Sequence, residues 1–168
     1  MSVLDDIRSS AEGANETFDD ALALTKQAMD EASDLEQSAA GHGWSGVAEV
    51  MASAQEALET VTSAIEGAVE ATTQGLARLS EITVEMSSDE IAGRLAAVKI
   101  QFDAARHAAS QATDALDEAR TAAAHADAES LLRLVHGADE RVETGRETLA
   151  AAVDLTESEQ SEATAWGN

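Results

Sequence analysis

Apolar and small residues recur along this chain in alternating steps of three and four. The first run is Leu4, Ile7, Ala11, Ala14, Phe18, Ala21, Thr25, Ala28, Ala32, Leu35 and Ala39. The second goes from Trp44, Val47, Met51, Ala54, Leu58, Val61 and Ile65 through Ala68, Thr72, Gly75 and Leu79 to Ile82 and Met86. A third covers Ile91, Leu95, Val98, Phe102, Ala105, Ala109, Ala112, Leu116, Ala119 and Ala123, and a fourth Ala128, Leu131, Val135, Ala138, Val142, Gly145, Leu149 and Ala152. A repeat of 3.5 residues keeps one seam of a helix against its neighbour, so each run predicts a long packed helix. The absence of proline and the abundance of Ala, Glu and Gln supply helix propensity. Alternation with period two, the mark of a strand, is missing.

The breaks between runs have local causes. In Gly41-His42-Gly43-Trp44-Ser45-Gly46 the first two glycines can end one helix and Ser45 can cap the next. Ser87 and Glu90 have the spacing of a capping box, and Asp127 is the best cap for the fourth segment. The seam steps by five residues from Met86 to Ile91 and from Ala123 to Ala128, a phase slip that favours turns. The pattern thus predicts an all-α fold of antiparallel helical hairpins, forming an elongated four-helix bundle or coiled coil. Reversals are expected at 41–46, near 86–90 and at 124–127. Residues 1–86 form a first hairpin and 87–156 a second, while 157–168 is a polar, aperiodic tail expected to fray. An 84-residue shift aligns Asp5-Asp6-Ile7 with Asp89-Glu90-Ile91 and Phe18 with Phe102. Duplicated hairpins would produce this, and so would any two heptad helices, since 84 is a multiple of seven.

Charge narrows the function classes. The 168 residues carry a net charge of −23, which disfavours nucleic acid and anionic lipid as partners. Lys and Arg are absent between Lys26 and Arg78, a stretch with nine carboxylates and the whole Gly-rich turn. A charged partner of this stretch is expected to be basic. The N-terminus lacks a basic-then-apolar signal pattern, and no apolar run is long enough to span a membrane. The expected location is the cytoplasm, with any export proceeding without a cleaved signal peptide. The absence of Cys removes disulfide and thiol chemistry.

Catalytic chemistry finds no support in the residues. There is no phosphate-binding loop and no nucleophile beside a base, so no catalytic residue, cofactor or metal is assigned and no enzyme is expected. Asp103/His107, His125/Glu129 and His136/Glu140 are spaced i,i+4, but the Glu-x-x-His pairs of di-iron bundles are missing, and exposed helix pairs are the simpler reading. Thr25, Thr72, Gly75 and Gly145 on the seams are either sites of close helix approach or core imperfections. Trp44 is either a partner-binding anchor or a lid over one end of the bundle; Trp166, near the polar C-terminus, either docks, binds a partner or belongs to a disordered tail.

With Trp44-x-Gly46 in a turn near position 44 between two long helices, residues 1–86 resemble the WXG family of small proteins of type VII secretion systems. The resemblance implies helical hairpins that pair into four-helix assemblies and that travel through, or assist export by, a membrane secretion machine. It implies further that Trp44 and Gly46 form the hairpin turn and part of a recognition surface. The partner would be another helical protein, such as a larger secreted substrate or toxin, and both a monomeric bundle and an oligomer are compatible. The chain is longer than family members usually are, and it has no Tyr to form the Tyr-x-x-x-acidic export signal that one partner usually bears. A partner would supply that signal, or the protein is a helper that stays behind. A structural coiled-coil or scaffold protein unrelated to secretion is the alternative.

Overall fold

A computed structural model describes residues 2–167; Met1 of the first hairpin and Asn168 of the tail lie outside the described residues. The described residues form four helices, α1 (Val3–Gly41), α2 (Ser45–Ser80), α3 (Ser88–His125) and α4 (Glu129–Gly167). At about 1.5 Å per residue each is roughly 54–58 Å long. α1 packs on α2 and α4, and α3 packs on α2 and α4. The helices therefore stand at the corners of a square, alternately up and down, and the two hairpins bury their seams against each other within one chain. No strand occurs among the described residues.

Both up-running helices begin with a reciprocal cap. Ser2 and Ser87 accept the backbone N–H of Asp5 and Glu90, and those carboxylates accept the N–H of Ser2 and Ser87. The backbone N–H of Ser2, then its hydroxyl, holds the Asp5 carboxyl below the usual range, and Ser87 does the same for Glu90. α2 stops at Ser80, earlier than the seam pattern predicts, which leaves Ile82 and Met86 in the connection. Its last turn tightens: Glu81 N–H bonds Arg78 O and Ile82 N–H bonds Leu79 O, each at 3.2 Å.

The core follows the predicted seams. The largest fully buried side chains include Phe18, Phe102, Ile7, Met51, Leu58, Ile65, Leu116 and Leu131. In so Ala-rich a core the two rings need special room, and glycine provides it. A Cβ on Gly145 would lie 2.6 Å from the Phe18 ring, and one on Gly75 would lie 2.5 Å from the Phe102 ring. Gly75 and Gly145 are therefore sockets of close helix approach. The two phenylalanines are 84 residues apart but their glycines are not, so the α1–α4 and α2–α3 seams differ in register. Thr25 and Thr72 are fully buried without loss, because each hydroxyl donates to the carbonyl four residues back, Ala21 and Ala68, at 2.8 Å. Thr156 does the same to Ala152 at 2.7 Å.

The C-terminal expectation is corrected. α4 continues to Gly167, and residues 157–167 do not leave the bundle. Thr156 and Ala163 stay on the buried stripe, and only the polar Glu159 and Gln160 between them interrupt the apolar pattern that predicted an end.

Candidate functional site

The two hairpin turns at one end of the bundle have the same backbone. At the end of α1, Gly43 takes φ 73°; its N–H bonds Ala40 O at 3.1 Å and the Trp44 N–H bonds Ala39 O at 2.9 Å. At the end of α3, Asp127 takes φ 51°; its N–H bonds Ala124 O at 3.2 Å and the Ala128 N–H bonds Ala123 O at 2.9 Å. Every residue in one turn corresponds to its counterpart in the other by the 84-residue shift. A left-handed residue with this pair of bonds satisfies the last carbonyls of a helix and reverses the chain. Glycine adopts the conformation freely, and Asp is one of the few other residues that tolerates it. The sequence-based cap assignments are therefore revised: Asp127 terminates α3 and does not cap α4, and Ser45 is the first residue of α2, with Trp44 at the cap position and no side-chain cap bond.

The side chains differ where the backbones agree. Ala128 is 9% exposed and Leu131 is fully buried, whereas their counterparts Trp44 and Val47 are 59% and 37% exposed. The cause is an offset of the hairpins. Ser130, in the first turn of α4, hydrogen-bonds Glu31 of α1, ten residues before Gly41. The last ten residues of α1, about 15 Å, thus overrun the start of α4. On the other side, His125 at the end of α3 lines a groove with Val50 and Ser53 of α2. The α1–α2 tip projects past the α3–α4 tip, and its first two seam positions on α2 have no helix opposite them. Trp44 is accordingly not a lid buried on the core. Its ring stacks on His42 with centroids 4.8 Å apart and planes 22° from parallel. His42 Nδ1 lies 2.7 Å from Ser38 O; a carbonyl only accepts, so this nitrogen donates.

Other predicted residues fall elsewhere. Gly46 sits in the first turn of α2, where an added Cβ would meet nothing within 4 Å; the turn depends on Gly43. Trp166 is 84% exposed in the last turn of α4, at the opposite end from Trp44, beside a Gly167 that approaches Ser88 and Asp89. The structure does not bring the two tryptophans together. The His125/Glu129 pair is broken by the turn between α3 and α4. His107 reaches Gln111 at 3.4 Å, while Asp103 pairs with Lys99 and Arg106; only His136 and Glu140 meet, at 3.3 Å on the surface. Among the described residues no group of three or more His, Cys, Asp or Glu could hold a metal, and no helix is long and apolar enough to cross a membrane.

Charge is partitioned between the hairpins. Lys99 bridges Glu157 at 3.0 Å and Asp103 at 3.1 Å, and these bonds, Glu157 first, raise its pKa. Arg120 joins Asp117 and Asp139, and Arg146 pairs with Glu143. Among the described residues none of the nine carboxylates between Lys26 and Arg78 forms an ion pair; Glu31, Glu36 and Glu70 accept only neutral donors, from Ser130, Gln55 and Gln74. Sequence reasoning found the tryptophan and the acidic stretch. It missed the offset that uncovers Val47, because inter-helix register is set by packing and not by either helix alone. Comparison with known proteins adds no relative: no family model, no curated protein and no solved structure matches the chain.

Proposed function

We propose that this protein is a non-catalytic helical adaptor, a chaperone-like partner of another helical protein in type VII secretion, with the α1–α2 tip as its contact surface. The observation that supports the reading is the exposed Trp44. Ala128 makes the same turn with the same hydrogen bonds, so the turn does not need a tryptophan. A large aromatic ring held in water by a stack on His42 is suited to anchor a partner, since interface energy concentrates in such residues. The reading also draws on the likeness of Trp44-x-Gly46 to the WXG turn. With the hairpins already paired within the chain, the partner adds to the outside of a finished bundle.

The test is co-purification from the native host with wild-type protein and Trp44→Ala. The expected result is a helical partner, a secretion substrate or component, that wild type retains and the variant loses while both melt at the same temperature. Equal retention by the two proteins would remove the tip from the function.

A further inference from the structure

We infer that the uncovered seam of the α1–α2 tip receives a basic amphipathic segment of another protein, one with an apolar stripe and Lys or Arg on its flanks. This rests on the reading of the tip as the contact surface and specifies the chemistry it accepts. Trp44 and Val47 occupy the same seam that is buried from Met51 onward, so their exposure is a missing neighbour and not surface decoration. Next to this seam, one residue off it on α2, a groove is lined by Val50 together with Ala122 and His125 of α3. The available face is thus apolar, about two helical turns long, and open on the side where α3 and α4 stop short. An amphipathic helix laid there would continue the bundle by one more layer.

Charge complementarity selects the occupant. The tip lies inside the stretch between Lys26 and Arg78 that has neither Lys nor Arg, and its Asp34 and Glu49 have no ion pair among the described residues. A second copy of this chain would bring its own charge of −23 to the same place and be repelled. A segment bearing Lys or Arg would be drawn in and would exchange diffuse repulsion for pairing.

The probe is a fluorescein-labelled synthetic helix with Leu on one face and Lys on the other. Two controls accompany it, one with Glu for every Lys and one with Ser for every Leu. Trp166→Phe protein leaves Trp44 as the sole tryptophan, so binding at the tip is also read from its emission. The Leu/Lys helix should bind, shift Trp44 emission to the blue and weaken as salt rises. Trp44→Ala and Val47→Ser should each lower its affinity by tenfold or more, and by about 30-fold for Trp44 if it is a hot spot. Equal affinity for the Leu-free helix, or affinity unchanged in both variants, would mean diffuse attraction and overturn the assignment. A Trp44-dependent host partner without Leu/Lys binding would overturn this inference alone. Leu/Lys binding at the tip without any Trp44-dependent host partner would instead remove the adaptor function and leave the surface.

Discussion

The α1–α2 and α3–α4 tips share an end of the bundle, a backbone and a set of hydrogen bonds, yet only one displays a tryptophan. At corresponding positions stand Gly43 and Asp127, Trp44 and Ala128, Val47 and Leu131. The α3–α4 tip shows what a turn alone requires: a residue that accepts positive φ, then a small residue tucked against the bundle. The α1–α2 tip meets the first requirement more easily and departs from the second. The same division appears in charge, since ion pairs cluster on the hairpin with the plain turn. One hairpin is finished as a structure, and the other has apolar and acidic surface to spare.

The largest effect should separate binding from folding. Trp44→Ala should cost at least about 2 kcal/mol of partner binding, as for a hot-spot residue, yet shift stability by no more than about 0.5 kcal/mol, as for an exposed site. Isothermal titration beside thermal melts measures both, and a loss of several kcal/mol in folding would return Trp44 to the core. The reciprocal substitution sharpens the contrast. Ala128→Trp forces a ring into a closed site and should destabilise by about 1–3 kcal/mol in denaturant titrations. Gly75→Ala and Gly145→Ala belong to the same range, because their Cβ atoms collide with buried rings.

Smaller effects should follow the turn residues. Gly43→Ala places a Cβ at positive φ and should cost about 1–2 kcal/mol, while Asp127→Gly should be neutral or gain up to about 1 kcal/mol. If both substitutions were silent, positive φ would not govern either turn. Gly46→Ala, with open space around it, should stabilise by about 0.5–1 kcal/mol. Salt should act unevenly. Raising it from low to physiological levels should slow amide exchange in α1 and α2 more than in α3 and α4, where screening also weakens ion pairs. pH should report the caps. Asp5 and Glu90 have folded pKa values below their unfolded ones, so their contribution is present above the unfolded value and is lost as pH falls through the folded one. Helix-start amides at Asp5 and Glu90 should lose protection only at that acid end.

Much of this was legible in the sequence because the signals are local. The seams from Ile7 to Ala32, Met51 to Leu79, Leu95 to Ala123 and Leu131 to Ala152 read directly as helices, and the Ser87 box marked a helix start. Three things were not legible. The end of α4 was hidden by Glu159 and Gln160, which lie on the seam where the pattern looks for apolar residues. Asp127 looked like a cap because Asp is a common one, but its left-handed backbone comes from the α3 end geometry. The exposure of Trp44 was undecidable, since a tryptophan on a seam is buried or open according to how far the opposite helices extend.

How far they extend is settled far from the tip. Phe18 on Gly145 and Phe102 on Gly75 work like a peg in a slot: sliding α4 by one heptad would bring Ala138 or Ala152, with its methyl group, under the Phe18 ring. The sockets therefore favour this alignment of the rods over a slip by one heptad, and the overhang at the Trp44 end is its remainder. The reach of the tip is in effect a length measured off from a glycine in the opposite hairpin. A change at that glycine could retract or extend the tryptophan without touching any residue near it.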